Sequence, residues 1–334
     1  MTSFRFVLFV FALAGCQAAP LAPGPGDPAP RHGDEISVCG QLFHTGAKVV
    51  LWNDPGGYDA YRLEPRFKAE EEGAQPQRVP KRRYHSYRAG LPAEVAERVR
   101  RDGWTLPDLQ LLVDQFVIHY DVAGTSRQCF KVLQDVRNLS VHFMLDVDGT
   151  IYQTLDLKER AWHATIANDR SVGIEIAHPG AYGKADDDAF KTWYARDAEG
   201  VHATFPTWMK ETGVRTPGFV ARPARPDLVE GTIQGRRLWQ YDFTDAQYAA
   251  LGRLTATLTR VFPRMPLAVP RGDDGGVVPR ALTAEEFAAH HGLLGHWHVT
   301  TNKTDPGPAF DWTRLLDTAG TLAPERLPVR SDKR

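Results

Sequence analysis

The chain has 334 residues, of which 42% are apolar and 24% charged, with a formal net charge of −1. Those figures fit a soluble globular chain with a sizeable core, in one large domain or two small ones. They supply no basic field for nucleic acid, which argues against nucleic-acid binding as the main function.

The first 15 residues stand apart from the fold. A short basic start (Met1 to Arg5) precedes an apolar stretch, Phe6 to Leu13, that is too short to span a bilayer, and Leu13-Ala14-Gly15 puts small residues before Cys16. This resembles a bacterial lipoprotein signal. The resemblance implies cleavage before Cys16 and acyl chains on that cysteine, and Gln17 rather than Asp favours the outer membrane, facing the periplasm, over the inner membrane. An ordinary secretory signal is the alternative. Residues 16–35, with Pro20, Pro23, Pro25, Pro28 and Pro30, read as an extended tether. Export implies an oxidising compartment, so Cys39 and Cys129 are a candidate disulfide.

Residues 36–103 form an N-terminal accessory segment in which no chemistry is evident. Gly46 to Trp52 reads as a strand, Asn53 to Gly57 as a turn, Glu64 to Arg83 as an exposed charged loop, and Pro92 to Arg101 as a short helix. The segment is expected to cover one edge of the core sheet, with His44 and His85 as candidate substrate contacts.

From residue 104 to 320 the pattern is clearer. Val117-Ile118-His119-Tyr120-Asp121 predicts a strand in which Ile118 packs and His119 faces the other way. Ser126 to Val136 has apolar residues at helical spacing. Val141 to Val147 alternates, Asp148-Gly149 signals a tight turn, and Thr150 to Leu155 completes a hairpin. Val172 to Ala177 is a further strand in which Glu175 lies on the face opposite Ile174 and Ile176. Thr244-Asp245-Ala246-Gln247 is a capping box opening a helix to about Val261. Leu293 to Val299 predicts a last strand, Phe310 to Leu316 the start of a closing helix, and 321–334 a tail. The fold class is α/β, a mixed central sheet flanked by helices.

The loop after that last strand, Gly295 to Trp312, carries an imidazole, a cation (Lys303) and a carboxylate (Asp305). Imidazole and carboxylate suit Zn²⁺, whose hydrolytic sites use three protein ligands and keep a fourth position for water. His119 supplies the third. His298 competes with His296, being on the same face of the expected strand, whereas His290 and His291 sit in a loop-like stretch.

At this point the chain resembles the zinc-dependent N-acetylmuramoyl-L-alanine amidases of the phage-lysozyme and peptidoglycan-recognition-protein superfamily (amidase type 2). The likeness runs through Phe116 to Tyr120, Val141-His142-Phe143, Ala161-Trp162-His163-Ala164, Ser171 to Ile176 and the loop above, roughly residues 110–318. It implies His119, His296 and Asp305 as zinc ligands, the family's Gly-His pairing selecting His296. It also implies Glu175 as general base, Lys303 as partner of the oxyanion, and His163 and Trp162 as substrate contacts. Phage-type enzymes carry tyrosine where this chain has Val141, which leaves the base role to Glu175. The implied substrate is peptidoglycan or a muropeptide, cut between N-acetylmuramic acid and L-alanine. Residues 180–240 and 264–290 read as insertions able to wall the cleft, with Arg215, Arg222, Arg225, Arg236 and Arg237 as candidate partners of stem-peptide carboxylates. Two rivals remain: a recognition protein of the same fold that binds without cutting, and a cysteine peptidase using Cys129 with His163. Oligomeric state is not legible in the sequence.

Overall fold

The computed structural model describes residues 31–62, 64–67 and 87–322. Cys16, the signal, most of the tether, His85 and the tail beyond Leu322 lie outside the described residues. From Gly33 onward the described residues belong to one compact unit.

The chain enters through an antiparallel hairpin, β1 (Glu35–Val38) and β2 (Gln41–His44), and continues into β3 (Val49–Leu51). Helices α1 (Ala93–Asp102) and α2 (Leu106–Gln110) lead to β4 (Gln115–Tyr120). Next come α3 (Ser126–Phe130), prolonged by a π-helical turn over Lys131–Val136, the hairpin β5 (Phe143–Leu145) and β6 (Ile151–Gln153), and β7 (Ser171–Ile176). The 180–240 insertion contains α4 (Asp188–Trp193) and two hairpins, β8 (Tyr194–Asp197) with β9 (Gly200–Ala203) and β10 (Val229–Ile233) with β11 (Arg236–Gln240). The chain closes with α5 (Asp245–Val261), α6 (Ala284–Ala289), β12 (Gly292–Gly295), α7 (His296–Val299) and α8 (Trp312–Leu322).

Six strands make the central sheet in the spatial order β12, β4, β7, β5, β6, β3, parallel throughout except for the β5–β6 hairpin. The mixed α/β architecture is the predicted one. The accessory segment does more than cover an edge, because β3 is the edge strand, paired with β6.

Alternation sorts the sheet's side chains into two cores. On one face Phe116, Ile118, Phe143, Leu145, Val172, Ile174 and Ile176 pack with Leu251, Leu254 and Leu258 of α5. The α5 helix begins where the capping box predicts: Thr244 Oγ1 accepts from Gln247 N and Gln247 Oε1 from Thr244 N. It lies close to α8, where a Cβ on Gly252 would stand 2.4 Å from Thr318 Cγ2. On the opposite face Met144, Tyr152 and Val50 pack with Cys129, Phe130 and Tyr58.

Candidate metal centre

Strand β4 lies between β12 and β7, and all three run parallel, so their carboxyl ends open on one edge of the sheet. Sites in α/β sheets are built on that edge. His119 pairs with Glu175 across the β4–β7 ladder, and Gly295 pairs with Ile118 across β12–β4, which brings His296 level with His119. The isoleucines beside His119 and Glu175 are fully buried beneath the sheet, so the imidazole and the carboxylate turn to the other face.

Three donor atoms converge there. His119 Nδ1, His296 Nδ1 and Asp305 Oδ2 lie 2.9 Å apart in every pair, and all three residues are buried. Burial, and then the neighbouring His296, lower the His119 pKa to about 4, so the ring is neutral at pH 7. Burial opposes ionisation of Asp305, but the two imidazoles turned towards it hold its carboxyl well below the usual range. Ring protons cannot satisfy three mutually facing contacts, because each proton serves one of them and leaves lone pairs opposed; a single cation satisfies all three. Two imidazole nitrogens and a carboxylate oxygen are a zinc donor set. At zinc bond lengths of about 2.0–2.1 Å, tetrahedral ligands stand roughly 3.4 Å apart, so the triangle needs to open by only about 0.5 Å. The residues therefore fit the metal.

Glu175 and Lys303 line the same cavity of about 120 Å³ as the three donors, with Trp162 and Arg137 also contributing to its walls. Glu175 Oε2 is buried and has no hydrogen-bond partner among the described residues. Burial, and then the charges of Asp305 and Asp121, raise the Glu175 pKa well above the usual carboxylate value. A carboxylate with an open acceptor atom facing a donor triangle is placed to exchange a proton with water held there. Trp162 is half-exposed, with the Arg160 guanidinium 5.0 Å from its ring centroid.

Several expectations need correction. The last strand stops at Gly295, and residues 296–299 form a helical turn, α7. The turn separates the two histidines: His298 Nδ1 accepts from Gly295 N at 2.9 Å, and its Nε2 contacts Val278 O at 2.8 Å, away from the triangle. The disulfide is absent. Cys39 and Cys129 are free, and they pack on opposite faces of the sheet. Burial, and then the carboxyls of Asp121, Glu175 and Asp146, push the Cys129 thiol well above its usual pKa, and His163 turns its nitrogens elsewhere, so the cysteine peptidase loses its nucleophile and its base. None of the five insertion arginines lines the cavity; Arg222 pairs with Asp197 and Glu199, Arg225 with Asp242, and Arg237 with Glu230. His44 instead meets Asp34 at 3.0 Å, and His291 meets Asp114 at 2.9 Å.

Other residues matter that the sequence did not single out. Arg137, at the end of the π-helical turn, lines the cavity in place of the insertion arginines. Asp121, two residues beyond His119, accepts from Ala123 N, Gly124 N and His178 N through Oδ1, while burial still raises its pKa to about 7. The ligand loop is braced by the 180–240 insertion: Gln240 Nε2 donates to Pro306 O, its Oε1 accepts from Ala309 N, and Gln234 Nε2 donates to Trp297 O and Thr300 O. The buried Arg88 donates to Leu157 O, Asn168 O, Asp169 O and Ser171 O, pinning the loop that carries Trp162 and His163. The Asp-Val-Ala-Gly turn signal at 121–124 is readable in the sequence; the arginine and glutamine partners lie too far along the chain to leave a local signal.

The family model for N-acetylmuramoyl-L-alanine amidase matches residues 109–308, more than half of the chain. The 1,6-anhydro-N-acetylmuramyl-L-alanine amidase AmpD of Salmonella typhimurium is 24% identical over 186 residues, which cover 53% of this chain and 55% of that protein. The chain thus spans about half the length of this curated relative. Among solved structures, the complex of the N-acetylmuramyl-L-alanine amidase AmiD from E. coli with anhydro-N-acetylmuramic acid-L-Ala-D-gamma-Glu-L-Lys is similar at 18% identity and a TM-score of 0.36, over 62% of this chain and 57% of that one. The endolysin LysCS of Clostridium intestinale is similar at 12% identity and a TM-score of 0.30, over 64% and 86%. At such scores the two structural likenesses carry no weight beside the family match.

Proposed function

The chain belongs to the N-acetylmuramoyl-L-alanine amidase family, and from that premise we propose that it is a zinc-dependent hydrolase of the amide between N-acetylmuramic acid and L-alanine. Its substrate is peptidoglycan or a muropeptide, and its role lies in cell-wall remodelling or recycling. The observation that carries this reading is the triangle of His119, His296 and Asp305 beside the unpartnered carboxylate oxygen of Glu175.

His119, His296 and Asp305 would hold the metal. Bound zinc would supply Lewis acidity and a nucleophilic water at neutral pH. Glu175 takes a proton from the attacking water as it adds to the carbonyl carbon, and its raised pKa suits it to hold that proton. It then returns the proton to the leaving nitrogen of L-alanine as the carbon–nitrogen bond breaks. Lys303 donates to the carbonyl oxygen as negative charge gathers there. Trp162 offers an apolar plate at the cavity mouth for the sugar or stem peptide. The metal-site ligands are all present, which favours catalysis over simple recognition.

The same proposal includes lipid attachment at Cys16, with the tether holding the catalytic unit off the outer membrane on its periplasmic side. Among the described residues no helix is long and apolar enough to cross a membrane. Fractionation of cells making the full chain or Cys16→Ser tests the anchor: equal amounts of both in the soluble periplasm would refute it. The activity is tested by mass spectrometry of products from purified muropeptides. The expected product is a peptide with a free L-alanine amine. Zinc-loaded protein that binds muropeptide and releases none is a recognition protein.

A further inference from the structure

His163 belongs to the loop between β6 and β7, and its ring is wedged between that loop and two strands. Its Nδ1 lies 3.0 Å from His119 Nε2, and its Nε2 lies 3.2 Å from Ser171 Oγ. The two imidazoles meet edge to face, with centroids 5.2 Å apart and planes at 80°. Both ring nitrogens of His163 are thus engaged, one with a member of the donor triangle, His119, and one with the first residue of β7.

The surroundings hold this ring firmly. Asn168 Oδ1 accepts from the backbone N–H of both His163 and Ala164, closing the loop beneath it. Arg88 donates to Ser171 O, fixing the residue that receives the far nitrogen. Gly173 leaves the space the ring fills: a Cβ there would stand 2.5 Å from His163 Cε1 and Nδ1. The glycine has no positive φ to explain it, so close approach of the imidazole is the constraint that excludes a side chain.

We propose that His163 is a positioning residue for the metal centre, setting the tautomer and orientation of His119 through a His119–His163–Ser171 hydrogen-bond chain. The inference rests on reading His119 as a metal ligand. The logic follows from proton counting. His119 turns Nδ1 to the donor triangle, so that atom must keep its lone pair, and the ring proton sits on Nε2. Nε2–H then donates to His163 Nδ1, which must itself be unprotonated, and His163 Nε2–H donates to Ser171 Oγ. Every ring proton in the chain has one defined place. Metal-binding histidines commonly give their second N–H to an oxygen acceptor that fixes the ring. Here a neutral imidazole takes that role, and it assigns His163 to the metal centre rather than to direct contact with substrate.

The test uses the full chain and two readouts independent of turnover. Zinc affinity is measured by competition with a chromogenic chelator, and ring protonation is read from imidazole ¹⁵N shifts of the zinc-loaded protein. His163→Ala should weaken zinc binding about 10–100-fold, the usual cost of losing such a partner. His163→Gln should recover most of the loss, because its side-chain oxygen can accept from the same N–H. In the wild type, His163 should carry its proton on Nε2, which keeps the proposal testable even if the alanine variant fails to fold. Zinc affinity of His163→Ala within twofold of wild type overturns the proposal, most clearly if KM for muropeptide rises instead, and so does a His163 proton on Nδ1. A wild-type protein that binds no zinc would overturn the metal reading itself, whereas zinc-dependent turnover with His163→Ala unchanged would overturn only this inference.

Discussion

Replacing Glu175 by Gln removes one function and little else. The amide matches the carboxyl in size and still presents an acceptor oxygen, but it cannot take a proton from water. If Glu175 is the base, turnover of a muropeptide should fall about 10²–10⁴-fold, or roughly 2.7–5.4 kcal/mol of barrier at about 1.36 kcal/mol per decade. Zinc content should stay near one per chain, since Glu175 is outside the donor triangle. Stability adds a second, independent reading in the metal-free protein. Burial raises the folded-state pKa of Glu175 well above the ordinary glutamate value, which the unfolded chain keeps. Above that pH the unfolded chain has lost the proton while the folded chain retains it, so the unfolded state binds fewer protons and stability falls as pH rises. Metal-free Glu175→Gln lacks this penalty. Its melting temperature should meet or exceed that of the wild type at pH 7, with the gap closing towards pH 4. The decisive assay is kcat with metal analysis on the same sample. A Glu175→Gln protein with full zinc and more than a tenth of wild-type turnover would refute the assignment of the base.

His119→Ala, His296→Ala and Asp305→Ala should each lose most of the bound zinc by metal analysis. His298→Ala should keep it, while leaving Gly295 N–H without its side-chain acceptor at a cost of about 1–3 kcal/mol in denaturant unfolding; Val278 C=O still accepts from Trp297 Nε1. Lys303→Ala should lower turnover by about 10²–10³-fold, as loss of one oxyanion donor does, with zinc content unchanged. In a Cys16→Ser protein unfolded without reductant, alkylation should add to both Cys39 and Cys129; a chain that takes up no label would restore the disulfide.

Strand alternation explains why so much of the site was legible. In β4 and β7 the isoleucines bury one face, so a polar residue between them must turn to the other, and this placed His119 and Glu175 on one side from sequence alone. The loop's Lys303 and Asp305 were then near enough in sequence to His296 to belong to the same edge. The capping box at Thr244 was equally readable, because both of its hydrogen bonds lie within four residues. The error over the strand ending at Val299 came from the same rule. Leu293 and Leu294 are buried on both sides of the sheet, so they carry no alternation that could say where the strand stops.

What stayed hidden depends on contacts with no local period. Cys39 and Cys129 looked pairable in an exported chain, yet the sheet itself stands between them, and only topology reveals that. The insertion arginines are candidate partners of substrate carboxylates by charge alone, but the acidic residues that claim Arg222, Arg225 and Arg237 lie in the same insertion or close to it. Arg137 carries no signal of its own, because it follows a helical stripe that reads as core. The brace on the ligand loop is the clearest case. Gln240 reaches Pro306 and Ala309 across 66 and 69 residues, and a Cβ on Gly307 would come within 2.1 Å of its Oε1. The glycine in the Asp-Pro-Gly turn therefore answers two demands, a positive φ of 88° and the close approach of a side chain from β11. Only the first could be inferred from the turn. The position of Asp305, on which the donor triangle depends, is thus held by an insertion that sequence reading treated as a wall of the cleft.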